Sequence, residues 1–426
     1  MKKLILSLLF FFLTGCGTFN IKVDVFPPAT APVVAQALPS ATVLSAASAQ
    51  PAASATPAPA QPTQTAQASP SPTSTTEPES DPIALAAIHM SDEQRGWGVD
   101  SAGRILKTKD GGGIWVDVSP QGEFNRQSLF AASGDSAWAV PTQLQGSGVV
   151  WRSLDGGQTW QSSRSFTLED GTFSPTGLQF PNARAGWLLM ARTDTPEKQF
   201  TLFKTTNSGA DWLPVSGLGT SALSSSLPAD ISGMAFFDDQ TGWLGGAWNQ
   251  DATQWQVAKT SDGGAKWGLD SLRLPNNPSL RCTARPINGL EAGAMAVEMT
   301  CTLPKDPKYF YHRLHYLSAS GQPAWNSWVL PGELRGVSFL NAQQGWMLVA
   351  AENPQASQLL YTPDGGKSWE KLSDLAWKQA QLDFITDKLG WAVIDYGSTT
   401  SLMRTENGGA VWIQVRPVLV RLAPKP

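Results

Sequence analysis

The sequence predicts an all-β chain in which one antiparallel unit recurs seven times, and three observations predict it. An eight-residue box, [ST]-x-[DN]-x-G-x-x-W, occurs six times. A Gly-Trp or Ala-Trp pair precedes each box, Trp to Trp, by 18 to 25 residues. The chain carries 39 Gly and 18 Trp but only 15% charged residues, a composition of tight turns and aromatic plugs. Repeats of about 40 to 50 residues with one aromatic motif each mark propeller blades, so the expected fold is a seven-bladed β-propeller preceded by a disordered stalk.

The elements follow in chain order. Lys2 and Lys3 precede the ten apolar residues Leu4 to Leu13, a run too short to span a hydrocarbon core of about 30 Å as a helix. It reads as the apolar region of a signal peptide, residues 1–15. Leu13-Thr14-Gly15-Cys16 closes it and resembles the lipobox of bacterial lipoproteins. That resemblance implies that Cys16 becomes the first mature residue and carries the lipid. The expected location is the extracytoplasmic face of the cell membrane. Residues 16–82 form the linker, with 12 of the 31 Pro lying between Pro27 and Pro82 among Ala, Ser, Thr and Gln. Such a composition buries too little apolar surface to offset its ordering entropy. As a flexible chain the 63 residues 20–82 average about 45 Å end to end, and as a polyproline II rod they reach about 195 Å.

The repeat domain is expected over 83–424. Its boxes carry Asp110 and Trp115, Asp155 and Trp160, Asn207 and Trp212, Asp262 and Trp267, Asp364 and Trp369, and Asn407 and Trp412. The box Trp residues are 45, 52, 55, 102 and 43 residues apart. The value 102 is two periods, and a degenerate seventh unit sits inside it, ending in Ser318-Ala-Ser-Gly-Gln-Pro-Ala-Trp325. Asp-Gly between apolar runs is a strong hairpin signal, because the turn needs positive φ. The box carboxylate or amide is expected to bond its own turn, and the Trp to cover the hairpin. Strands are expected at Gln256–Lys259 before one box and from Val411 to Leu422 after another. The Gly-Trp pair is expected to open an inner strand, as at Gly345. Boxes and Gly-Trp signals absorb 13 of the 18 Trp. Trp151, Trp248, Trp255, Trp328 and Trp377 are left over as candidate ligand contacts.

Charge and motifs exclude several functions. The balance of 31 basic to 35 acidic residues lacks the basic excess of a nucleic-acid binder. No phosphate-binding loop, dinucleotide fingerprint, His-Glu-x-x-His or nucleophile elbow occurs, and no cofactor or metal is expected. Cys282 and Cys301 precede His312 and His315, but this spacing is a poor zinc pattern, and residues i and i+3 of a strand point to opposite faces. In an exported chain a Cys282–Cys301 disulfide is expected, which leaves Cys16 as the odd thiol. Asp194, Asp230, Glu298 and Asp395 are the acids outside the boxes weighed for two-carboxylate glycosidase chemistry. The box acids are committed to turns, so no catalytic residue is assigned.

The boxes resemble the Asp-boxes, or BNR repeats, of sialidases, sortilin-type receptors, xyloglucan hydrolases and photosystem II stability/assembly factors. The Gly-Trp strand opening and its spacing to the box, best carried by Met234–Trp243 and Leu382–Trp391, are most similar to the photosystem II assembly-factor family. That resemblance covers 83–424 and implies a lipid-anchored scaffold that binds a protein at the membrane surface. The long stalk and degenerate fifth unit depart from the family. No sialidase signature accompanies the boxes: Arg104-Ile105-Leu106 lacks its Pro, and Tyr309, Tyr311, Tyr316, Tyr361 and Tyr396 supply no evident Tyr–Glu pair. A glycan-binding or glycoside-hydrolase-type propeller is the alternative. Segments 143–148, 194–199, 249–253 and 353–357, expected to link innermost strands, differ in length between units and form the expected partner-binding surface.

Overall fold

The computed structural model describes residues 80–196, 199–215, 230–247, 256–272, 279–287, 294–303, 305–318, 326–341 and 343–420. Every regular element among them is a strand. The expected signal peptide, Cys16, most of the linker, Trp248, Trp255, Trp325 and segment 249–253 lie outside the described residues.

The chain is a β-propeller. Its strands pair antiparallel in sequence order into four-stranded units, each running from an innermost first strand to an outer fourth strand. Blade 1 comprises Leu85–Met90, Gly96–Asp100, Ile105–Thr108 and Ile114–Asp117. Blade 2 comprises Leu129–Ala131, Ala137–Ala139, Trp151–Ser153 and Gln161–Ser162. Blade 3 has Phe166–Gln179, Gly186–Arg192, Phe200–Thr205 and Leu213–Pro214. Blade 4 has Asp230–Phe236, Gly242–Ala247, Gln256–Thr260 and Gly268–Ser271. Blade 5, the degenerate unit, has Arg281–Ile287, Ala294–Leu303, Asp306–Ser318 and Asn326–Val329. Blade 6 has Leu334–Phe339, Gly345–Ala350, Ser357–Thr362 and Glu370–Leu375. Blade 7 has Ala380–Phe384, Gly390–Asp395, Thr400–Thr405 and Ile413–Val415.

Burial explains the strand sequences. Second strands lie between neighbouring blades, so both faces are covered and they read as continuous apolar runs, such as Gly-Trp-Met-Leu-Val-Ala at 345–350 with its first five residues buried. Outer strands face water and read as polar, such as Glu-Lys-Leu-Ser-Asp-Leu at 370–375. The Gly-Trp pair therefore opens the second strand of a blade, one strand out from the innermost.

The ring closes by packing and by a strand clasp. Leu85, Ile88 and Trp115 of blade 1 share one apolar cluster with Trp391, Val393 and Leu402 of blade 7. Gln381 of blade 7 exchanges two hydrogen bonds with the Ile88 backbone of blade 1, at 3.0 and 2.7 Å. The strand expected over Val411–Leu422 is broken. Arg416 and Pro417 end blade 7, since Pro supplies no N–H for the ladder. The last strand, Val418–Val420, leaves to pair in parallel with Ile114 and Trp115 of blade 1. Ser80–Pro82 pairs antiparallel with that strand, three residues ahead of the expected start at 83.

Candidate functional site

Each box builds one hairpin rim by the same bonds. In the first, Thr108 Oγ1 donates to Asp110 Oδ1 at 2.8 Å and accepts the Gly112 N–H at 3.1 Å, and Ile114 N–H donates to Asp110 at 2.9 Å. The set recurs around Ser153/Asp155, Thr205/Asn207, Thr260/Asp262, Thr362/Asp364 and Thr405/Asn407. The fourth and fifth box residues have positive φ in all six boxes, and Ser208 at 61° is the non-glycine among them. Bonds from Thr159 and Ser368 hold the Asp155 and Asp364 carboxyls below their usual range, Asp364 at about 2. The Lys266 N–H does the same to Asp262.

The fourth box residue joins the box to the rest of its blade and to its neighbour. Its N–H donates to the turn between the first and second strands of its own blade: Gly111 to Gln94 O, Gly156 to Asp135 O, Ser208 to Arg184 O, Gly263 to Gln240 O, Gly365 to Gln343 O and Gly408 to Lys388 O, all at 2.7 to 2.9 Å. In four of the six boxes its carbonyl also accepts the indole N–H of the preceding blade's Gly-Trp or Ala-Trp residue. Trp138 bonds Ser208 O at 2.9 Å, Trp187 bonds Gly263 O at 3.2 Å, Trp346 bonds Gly408 O at 2.9 Å, and Trp391 bonds Gly111 O at 3.0 Å across the ring closure. Trp97 reaches Ser133 O of blade 2 at 2.8 Å. These Trp residues are inter-blade staples.

The staple Trp also stacks on a Phe of the next blade: Trp138 on Phe180, Trp187 on Phe236 and Trp346 on Phe384, with ring centroids 3.8 to 4.0 Å apart. Each such Phe ends a first strand or, as Phe180, directly follows it, and lies over the glycine six residues on, leaving that glycine no room for a Cβ. This holds for Phe180/Gly186, Phe236/Gly242, Phe339/Gly345 and Phe384/Gly390, and Met90 covers Gly96 likewise. Blade 2 has Ala131 at the first position and Ala137 at the second.

Among the leftover Trp, Trp328 packs in the cluster between blades 5 and 6 and stacks on Trp369 at 5.8 Å, Trp377 packs edge-on against Trp412, and Trp151 joins the cluster between blades 1 and 2. Trp328, Trp377 and Trp151 serve packing.

The acids weighed for chemistry have protein partners. Arg192 Nε donates to Asp194 at 2.7 Å. Arg285 holds Glu298 through Nε at 2.9 Å and through a shorter Nη2 contact. Asp395 accepts the Gly397 N–H at 2.6 Å within its own turn. Asp230 is also engaged. Arg104 pairs with Asp100, Nε to Oδ2 at 2.8 Å. His312 and His315 sit three apart on one strand and so point to opposite faces. Burial lowers both, His315 to about 3. No group of metal-ligating side chains forms among the described residues. Cys282 and Cys301 are directly opposite in register, with Cα atoms 4.0 Å apart and their sulfurs paired.

The remaining surface is the face opposite the boxes. Antiparallel connections alternate ends, so the links between second and third strands share the end away from the boxes. Segments 143–148, 194–199 and 353–357 are such links, rather than links between innermost strands. Residues 197 and 198 are outside the described set. Sequence reasoning took 143–148 as a loop. Leu144–Gly148 is instead a strand that pairs with the extended start of Phe166–Gln179. It adds a fifth strand to the sheet of blade 3. Leu144, Val150, Phe166 and Leu168 continue the core between blades 2 and 3 up into this ribbon. Gln145, Gly146 and Ser147 are exposed, beside exposed Glu169 and Asp170. Its alternating apolar anchors Leu144 and Phe166 were the available signal. Segment 353–357 is pinned by Arg335, which donates to the Pro354 and Ala356 carbonyls at 2.9 Å.

No protein-family profile matches the chain, and no curated protein matches it in sequence. Among solved structures it is similar to the GH74 xyloglucanase from Xanthomonas campestris, at 13% identity over 81% of this chain and 56% of that one, with a TM-score of 0.52. The chain thus spans just over half the length of that enzyme. It is also similar to YCF48 bound to D1 peptide, at 14% identity over 77% of this chain and 96% of that one, TM-score 0.46. YCF48 from Cyanidioschyzon merolae matches at 16% identity over 77% and 97%, TM-score 0.48. The xyloglucanase likeness bears on the fold, which is that of a β-propeller, and on no activity.

Proposed function

We propose that this chain is a lipid-anchored, extracytoplasmic propeller that binds another protein at the membrane surface, as a scaffold similar to the photosystem II assembly factors. Cys16 carries the lipid, residues 16–82 form the stalk, and 83–424 supply the binding body. The observation that carries the reading is the ribbon of 144–148 against the start of 166–179. It rises on the face free of boxes, has its own apolar support, and presents an uncharged polar edge at Gln145–Ser147. A rigid, supported projection with short polar side chains suits recognition of an extended protein segment. The acids weighed for the rival glycosidase reading are engaged by Arg192, Arg285 and the Gly397 N–H, which supports binding over hydrolysis.

The test is a crosslinked pull-down of tagged full-length protein from detergent-solubilised host membranes, beside a variant carrying Gln145→Lys and Ser147→Lys. A stoichiometric membrane-protein partner that the variant loses supports the proposal, and photosystem II subunits in that role support its finer form. Retention of glycan or wall fragments, with no protein above background, contradicts it.

A further inference from the structure

We infer that the clasp Val418–Val420 is a detachable strap. It ties Ser80–Pro82 to the rim of blade 1, and it leaves, taking that strand with it, while the ring stays closed. On the proposed reading of residues 16–82 as a stalk, its release frees the end of the stalk from the body.

The sheet of blade 1 sets the order of attachment. From the rim inward it runs Ser80–Pro82, Val418–Val420, Ile114–Asp117 and then the other three strands of the blade. The clasp thus stands between the incoming strand and the blade. Ser80, Asp81 and Pro82 lie opposite Val420, Leu419 and Val418, and the Ile83 N–H donates to Pro417 O at 3.2 Å. On its other side Val418 and Leu419 lie beside Ile114 and Trp115. The Val418 N–H donates to Gly113 O of the box at 2.9 Å.

Three properties that govern local opening hold the clasp lightly: ladder length, backbone donors and buried apolar surface. Its register with blade 1 covers two residue pairs, where the second and third strands of blade 7 match in six. That pairing is parallel, which is slightly weaker per residue than antiparallel. Pro82 and Pro417 bring no N–H to the ladder. Leu419 is buried, while Val418 and Val420 are half-buried.

The closure of blades 7 and 1 has bonds of its own, made by residues outside the clasp. Trp391 Nε1–H donates to Gly111 O at 3.0 Å, Gln381 exchanges bonds with the Ile88 backbone at 3.0 and 2.7 Å, and Asp383 accepts the Met90 N–H at 2.6 Å. Leu419 adds one side chain to a cluster that Leu85, Ile88, Trp115, Trp391, Val393 and Leu402 also form. Loss of the clasp therefore removes a strand from the rim and leaves the inner contacts in place.

Hydrogen exchange of the full chain, read by mass spectrometry on its fragments, tests this. Fragments covering 80–84 and 418–420 are expected to exchange about tenfold or more faster than Leu85–Met90, whose Ile88 and Met90 N–H groups bond blade 7. Leu419→Ala trims the buried side chain of the clasp. In it, exchange at 80–84 and at 418–420 is expected to rise together by about tenfold or more, while Leu85–Met90 stays within about threefold of its rate in the unaltered chain. A clasp that exchanges as slowly as Leu85–Met90 in the unaltered chain overturns the inference. So does a variant in which 80–84 does not change, or in which Leu85–Met90 rises with the clasp. A variant that does not fold overturns it too, because the body does not need a detachable strap. Exchange within the body depends on neither the lipid nor a bound partner, so this result stands apart from that of the pull-down.

Discussion

The six box-bearing blades and blade 5 solve one problem in two ways. A propeller blade must hold its neighbour without sharing a sheet with it. Blades 1, 2, 3, 6 and 7 do so with a buried indole N–H aimed at a carbonyl of the next blade, and in blades 2, 3 and 6 the same ring stacks on a Phe. Blade 5 has lost the box and has no Trp on its second strand. It uses a paired Cys282 and Cys301, a fused sheet with blade 4 and Trp328 from its outer strand. The comparison teaches that the box is an inter-blade device as much as a turn. In four of the six boxes the fourth residue serves its own blade through its N–H and the preceding blade through its C=O, so losing such a box removes the acceptor of a staple.

Removing the Cys pair is expected to have the largest effect, because it is the substitute peculiar to blade 5. Cys282→Ala with Cys301→Ala is expected to cost about 2–4 kcal/mol in urea unfolding. A loss under about 0.5 kcal/mol would show that the fused sheet suffices alone. Next comes the Phe–Gly contact. Gly345→Ala is expected to destabilise by about 1–3 kcal/mol, because its Cβ meets the Phe339 ring. Combined with Phe339→Ala, the pair that blade 2 already uses as Ala131 and Ala137, the cost of the added methyl is expected to vanish. A double-mutant cycle checks this, and strict additivity would refute the contact. Ser208→Gly is expected to stabilise by up to about 1 kcal/mol, since it relieves a left-handed non-glycine residue. It is measured by the shift in thermal midpoint.

The smallest effect is a pH dependence at the ring closure. Asp383 of blade 7 accepts the Met90 N–H of blade 1 at 2.6 Å. Burial pushes its carboxyl above the ordinary 3.8, against the pull of His89 and of that N–H. A carboxyl raised in the folded state costs stability once it is charged, and the cost disappears below the unfolded value. Asp383→Asn keeps the acceptor and removes the charge. It is expected to raise the thermal midpoint at pH 7, with the gain fading as pH falls below about 4. A gain that persists at pH 3 would contradict the assignment.

Much of the fold was legible because the box is local. Turn glycines, a capping oxygen and a Trp lie within eight residues, so their spacing survives in sequence. What the Trp of the Gly-Trp pair does was not legible, because its acceptor lies in the next blade, 62 to 76 residues ahead in the cases of Trp346, Trp138 and Trp187. A signal for its setting was present. Phe180, Phe236, Phe339 and Phe384 each stand six residues before a Gly-Trp glycine, and where that position is Ala131 the glycine is Ala137. The clasp of Val418–Val420 was hidden for another reason. A β-rich tail reads as a continuation of its own blade, and only Pro417 marks the break. The ribbon strand Leu144–Gly148 has three polar or glycine residues at its centre and so imitates a loop.

The central claim is that Trp staples hold the ring and that blade 5 is exempt. The direct measurement is denaturant unfolding of six single variants: Trp97→Phe, Trp138→Phe, Trp187→Phe, Trp243→Phe, Trp346→Phe and Trp391→Phe. Phe keeps most of the apolar contact and deletes the donor, which at the five stapled positions leaves a backbone carbonyl without it. The account predicts losses of about 1–3 kcal/mol at the five stapled positions and less than half of that at Trp243, whose bond is long and stays within its own blade. Equal losses at all six positions would contradict it.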